Sequence, residues 1–164
     1  MKRWASGVLA VLGLVLVFLV WRHFFPGDEA RIRQVIARAA KAGSVAGNEG
    51  DLGRTIKAAD LASLCTSDIS VKVDALGMRG GLDGRDQVRM AAMQLGNTFG
   101  NYRIVPGEIV VREIGDGSAR VTLTASFEGG TPADFNAQEF ELGFRKVEGR
   151  WLIARVETVR ALRR

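Results

Sequence analysis

The sequence predicts an α+β domain behind a single transmembrane helix. In the domain, three N-terminal helices pack on a curved, mostly antiparallel sheet. Three observations carry this. Residues 4–21 are continuously apolar. Apolar residues then recur at helical spacing over residues 28–64 and again over 83–96. From Gly100 onward the pattern changes to alternation with a period of two. Helices first and antiparallel strands after them form two layers around one core.

The first element is "WASGVLAVLGLVLVFLVW", Trp4 to Trp21, which contains no charged residue. Roughly 18 helical residues reach about 27 Å, close to the hydrocarbon thickness of a bilayer. Trp stands at both ends, and Lys2, Arg3 and Arg22 flank the segment with charge. A cleavable signal peptide has a shorter apolar run and small residues at its cleavage site, whereas "VWRHFFPG" offers bulky ones. Residues 1–25 are therefore read as an uncleaved anchor with a short tail, and residues 26–164 as the domain. The lipid bilayer is the expected partner of residues 4–21. Lys2 and Arg3 favour a cytoplasmic N-terminus, nearly balanced by Arg22, Arg31, Arg33 and Arg38 on the other side. The expectation is a single-pass protein of a bacterial-type inner membrane, with its domain in the periplasm.

"FFPG" at residues 24–27 breaks the first helix. Asp28 is expected to cap the next one, which carries Ile32, Val35, Ile36 and Ala39 on one face and ends at Gly43. Asp51 opens another through Leu52, Ile56, Ala59 and Leu64. "DISVKVDA" alternates Ile69, Val71 and Val73 against polar residues, a half-buried strand. "GMRGGLDG" reads as a turn. "DGRDQVRMAAMQLG" reads as a third helix capped by Asp83, with Val88, Ala91, Ala92 and Leu95 inward and Gly96 closing it. "YRIVPGEIVVREI" is a strand that bends at Pro106-Gly107. Gly115-Asp116-Gly117 signals a hairpin into "SARVTLTASFE", with Val121, Leu123, Ala125 and Phe127 on one face.

The last hairpin, "EFELGFRKVEGRWLIARVETV", has two registers open to it. A two-residue turn at Glu148-Gly149 puts Phe140, Leu142 and Phe144 on one face with Trp151, Ile153, Arg155 and Glu157. A bulge at Gly149 puts them instead with Leu152, Ala154, Val156 and Thr158. One residue of slip turns every side chain over. Burying Arg155 and Glu157 among phenylalanines costs several kcal/mol per ion before pairing offsets it. Glutamate is also a poor occupant of the positive-φ position of the two-residue turn. The bulged register is expected, with Arg155 and Glu157 pointing outward.

Composition excludes some functions. The formal charge of +5 includes Lys2 and Arg3, and the +3 that remains is interspersed with acids. No basic block with interleaved aromatics appears, so nucleic acid is not an expected partner. The one cysteine, Cys65, cannot form an intramolecular disulfide and lies in an apolar context without a histidine, since His23 adjoins the anchor. No Walker-type loop or dinucleotide fingerprint appears, so no cofactor is expected. Asp68, Asp74 and Asp83 are spread over a strand and its loops, so no metal site is expected either.

The stretches "GDLGRTIKAADLASLCTSDISVKV", "GRDQVRMAAM" and "FRKVEGRWLIARVET" resemble the nuclear transport factor 2-like (NTF2-like) superfamily, which includes ketosteroid isomerases and the SnoaL-like polyketide cyclases. The resemblance covers most of residues 28–160. It implies a cone-shaped fold with a pocket between sheet and helices, and frequent homodimerisation through the sheet. It also implies where isomerase chemistry would sit. The base of those enzymes falls on Val73, their oxyanion acid on Phe140, and their first-helix tyrosine has no counterpart, since the lone tyrosine is Tyr102. Proton abstraction from carbon needs a positioned base and a donor for the developing oxyanion.

The expected pocket lining is Val121, Leu123, Phe127, Phe140, Leu142, Phe144, Leu152, Ala154 and Val156, apolar and without a general base. The opposite face would carry Glu141, Arg145, Trp151, Ile153, Arg155 and Glu157. It reads either as a solvated ladder or as a partner face, because aromatics and Arg are enriched at interfaces. The sequence thus leans away from an enzyme and towards a membrane-anchored, non-catalytic module. Such a module would dimerise or dock a partner in an envelope assembly, as periplasmic components of bacterial secretion machines with this fold do. The alternative is a small apolar-ligand binding protein, or an isomerase-like enzyme, that uses the cone. A buried Asp74 or Tyr102 on the inner face would favour it.

Overall fold

The structure, a computed structural model, describes residues 27–75, 78–129 and 135–159. The expected anchor, Trp4 to Trp21, lies outside these residues. No helix among those described is long and apolar enough to cross a membrane.

Ile32, Val35, Ile36 and Ala39 set the inward stripe of α1 (Asp28–Gly43), with Ile32 and Ile36 fully buried. Asp28 is the first helical residue and makes no capping bond, because its carboxylate is committed elsewhere. In α2 (Asp51–Ser63) the buried positions are Ala58 and Ala62, whereas Leu52 and Ile56 are exposed. The small residues let this helix lie close to its neighbours. α3 (Arg85–Phe99) differs from its expected bounds at both ends. Gly84 rather than Asp83 precedes it, and it runs through Gly96 to stop at Gly100, whose positive φ ends the helix. Gly96 is buried within the helix, where a Cβ would stand 3.4 Å from Val45 Cγ2.

Six strands form one mixed sheet in the order β2-β1-β6-β5-β4-β3. They are β1 (Cys65–Ala75), β2 (Met78–Asp83), β3 (Arg103–Ile114), β4 (Ser118–Glu128), β5 (Phe135–Val147) and β6 (Arg150–Thr158). β1 runs parallel to β6, and every other pair is antiparallel. β2 corrects the expectation of a turn at "GMRGGLDG". Its Gly80 and Gly81 have no strand preference of their own, and pairing with Val73 and Lys72 of β1 makes the strand. The expected bend in β3 is a register shift between Pro106 and Ile109. The core gathers Ile32 and Ile36 of α1, Val88 of α3, and Ile69, Val121, Leu142, Phe144, Trp151 and Ile153 of the sheet.

Candidate functional site

The final hairpin decides which side chains enter the space between helices and sheet. Its turn has two residues, Glu148 at φ 49° and Gly149 at φ 77°, so the expected bulge at Gly149 is absent. Phe144 pairs with Ile153 and Lys146 with Trp151. Further along, Gly143 pairs with Arg155 and Leu142 with Val156. Ala154 is the extra residue. The hairpin therefore takes one of the two candidate registers near its turn and the other beyond Ala154. The bulge reverses the alternation where it would otherwise drive Arg155 and Glu157 into the core. Gly143 faces the irregularity, where a Cβ would lie 3.1 Å from that of Arg155.

The expected lists are re-sorted accordingly. Arg155 and Glu157 point outward, 2.7 Å apart. Trp151 and Ile153, expected on the outer face, are buried in the core at 3% and 5% exposure. Leu152, expected inward, lies on the outer face directly opposite Arg145. It is nonetheless buried, on the face where Arg145 spans β6 to reach Asp68 of β1 at 3.0 Å. Ala154 sits at the bulge. Val121, Leu123, Phe140, Leu142, Phe144 and Val156 belong to the inner face as expected, and Phe127 stands beside Tyr102.

One end of that inner face is closed. The Trp151 indole donates to the Asp28 carboxylate at 2.9 Å, and Lys146 donates to it at 3.0 Å while lying over the Trp151 ring. These donors hold the Asp28 carboxyl below the usual carboxylate range, the Trp151 bond first and Lys146 next. They tie the start of α1 to the β5–β6 turn. Nearby, the Arg85 guanidinium donates to the Cys65 carbonyl at 2.6 and 3.0 Å. Burial pushes the Cys65 thiol up to about 11, which removes it as a nucleophile near neutral pH.

The other end is where β1, β4 and β6 finish and β5 begins. Val71, Val73, Phe127, Phe140, Val156 and Thr158 are here only half-buried, so solvent reaches between them. Tyr102 is buried against Phe127, with ring centroids 6.5 Å apart, and meets Phe99 of α3 edge-on at 6.4 Å. An antiparallel bridge from Val45 to Tyr102 fixes its backbone. Burial raises the Tyr102 phenol above its ordinary pKa, so it remains a neutral donor, and its hydroxyl has no hydrogen-bond partner among the described residues. Gln138, opposite Ala125 on the inner face, uses its amide to donate to the Glu139 and Val159 carbonyls, both at 3.2 Å.

The outer face is a charged ladder. Besides the Arg145–Asp68 and Arg155–Glu157 pairs, Lys72 lies 3.9 Å from Glu157 and Arg120 3.8 Å from Glu141. The Arg145 hydrogen bond is the main cause that lowers the Asp68 pKa. Exposed pairs of this kind contribute about 0–1 kcal/mol each.

Chemically, the half-open end offers an apolar wall, the Tyr102 hydroxyl and the Thr158 hydroxyl, which accepts from the Asp74 amide at 2.9 Å. The two catalytic positions implied by the family resemblance hold Val73 and Phe140, and Asp74 is exposed on the outer side of β1. Among the described residues, no three His, Cys, Asp or Glu side chains are grouped to hold a metal. Tyr102 and Gln138 were absent from the expected lining. Gln138 shares the parity of Phe140 and Leu142, so the alternation alone would have found it. The position of Tyr102 depends on the long-range bridge to Val45, which no local pattern announces.

The chain matches no family model and no curated protein. Solved structures share its fold. An NTF2-like protein with a cystatin-like fold from Novosphingobium aromaticivorans has a TM-score of 0.62 at 19% identity, covering 87% of this chain and 88% of that one. An NTF2-like protein of unknown function from Pseudomonas putida has a TM-score of 0.61 at 17% identity, covering 85% and 90%. A provisionally named scytalone dehydratase from Novosphingobium aromaticivorans has a TM-score of 0.62 at 16% identity, covering 81% and 85%. The fold is thus NTF2-like, three helices on a six-stranded mixed sheet.

Proposed function

We propose that the protein is a membrane-tethered, non-catalytic holder of a neutral, apolar small molecule, taken up at the half-open end beneath the helices. The observation that carries this reading is the gradient along the inner face. Side chains are fully packed around Trp151 and only half-buried around Phe140, Val156 and Val71. A mainly apolar wall with few polar groups is the usual make-up of a small-molecule site. Catalysis of the isomerase or dehydratase kind lacks support, because the open end presents no carboxylate or histidine among the described residues. The tether rests on residues 4–21, and the single-pass, extracytoplasmic arrangement on the charges beside them.

Docking or homodimerisation through the outer sheet face has lost its strongest argument, since Trp151 and Ile153 are in the core and an ion ladder remains. Uptake is tested by equilibrium dialysis of the full chain in lipid nanodiscs against 2-naphthol, a neutral aromatic alcohol, with empty discs subtracted. Saturable one-to-one uptake is expected, and Phe140→Ala should abolish it. Uptake no greater than that of empty discs would reject the reading.

A further inference from the structure

A cavity opens at the β3 edge of the sheet. It is a cleft of about 430 Å3 between the C-terminal half of α1, the α1–α2 loop and the start of β3. Its apolar walls include Ala37, Ile104 and Pro106, and its charged lining is Lys41, Lys57 and Arg103, with no carboxylate. Lys57 is fixed in place: its ammonium donates to the Ser44 carbonyl at 2.9 Å and pairs with Glu49, and its side chain is only 29% exposed. One of its three N–H donors is left over. Glu49 balances one of the three cations. Lys41 and Arg103 have no ion pair among the described residues.

Like charges sharing a cleft disfavour the empty state, and an anion entering it relieves them. Lys41 also lies in the last turn of α1, where the helix dipole favours a cation, but that accounts for neither Lys57 nor Arg103. The Ser44 hydroxyl is committed to structure, donating to the Ala40 carbonyl at 2.6 Å and accepting from the Ile104 amide at 2.9 Å. The groups left to meet a ligand are therefore three cations, with Asn101 and Tyr102 beside them, over an apolar wall. We infer that this cleft binds an organic anion, a carboxylate on an apolar body, at a site distinct from the surroundings of Phe140, Val156 and Val71. Its volume lies within the range that holds a compact ligand.

The full chain in nanodiscs of zwitterionic lipid is titrated calorimetrically with 2-naphthoate and with its uncharged isostere 2-naphthamide, empty discs being subtracted. The cleft should bind naphthoate at least about tenfold more tightly than naphthamide. The preference should shrink as salt is raised, a reading that needs no variant. It should vanish in the Lys41→Met/Arg103→Met double variant with the melting temperature unchanged, and survive in Phe140→Ala, which lies outside the cleft lining. Equal affinity for the two compounds, no saturable naphthoate binding below about 1 mM, or a preference that outlives the double substitution would overturn the assignment. Loss of 2-naphthol uptake with the naphthoate preference intact would count against the cone reading alone.

Discussion

The two ends of the space beneath the helices are built from similar apolar residues but finished differently. Around Trp151, the side chains of Phe144, Ile153 and Ile69 are buried to 5% exposure or less, and the Asp28 carboxylate is bonded to both the indole and the Lys146 ammonium. Around Phe140, Val71 and Val156 remain half-buried, and no ion pair joins them to a helix among the described residues. The closed end is a joint that holds α1 to the sheet. The open end has the same hydrophobic lining without that closure. Stability should therefore concentrate at one end and binding at the other.

The sharpest way to break this contrast is to insert one alanine between Gly143 and Phe144, opposite Ala154. With the bulge filled, the alternation runs unbroken and turns Arg155 and Glu157 inward and Leu142 and Phe140 outward, at several kcal/mol per unpaired ion. The expected result is loss of the cooperative transition in chemical denaturation, and a variant retaining wild-type stability would refute the role assigned to the bulge. Next, Trp151→Ala should cost about 3–5 kcal/mol in the same assay, as for a buried aromatic, whereas the half-buried Phe140→Ala should cost about 1–2 kcal/mol and abolish 2-naphthol uptake. Equal losses would erase the distinction between the ends.

Asp28→Asn should have a smaller effect, about 1–2 kcal/mol at neutral pH, because a charged acceptor shared by two donors is replaced at a half-exposed position. Its pH dependence is more specific. The folded pKa of Asp28 lies below its ordinary 3.8, so the stabilisation is fully present above that value and is lost as the pH falls beneath it. Acid titrations of wild type and variant should converge in that range, and parallel curves would contradict the assignment. Arg155→Ala should cost no more than about 1 kcal/mol, being one partner of an exposed pair.

Much of this contrast was legible in the residues. The helical stripe of Ile32 and Ile36, the alternation of Val121 and Leu123, and the outward charges at Arg155 and Glu157 all follow from periodicity and the cost of burying ions. The fate of Trp151 and Leu152 did not follow. Strict alternation implies one register for the whole hairpin, and glutamate disfavours the positive-φ position of the two-residue turn. That turn carries Glu148 at positive φ, and the strand corrects its parity six residues later at Ala154. The Asp28 carboxylate, expected as a cap, found two long-range donors instead. Tyr102 was out of reach for the same reason, since the Val45 bridge that seats it joins residues distant in sequence.

The most direct test of the central claim follows methyl resonances of isoleucine and valine in the full chain in nanodiscs as 2-naphthol is added. The account predicts saturable shifts at Val71, Val73 and Val156, with Ile32, Val121 and Ile153 unmoved. Shifts spread evenly over both ends, or confined to the closed end, would contradict it.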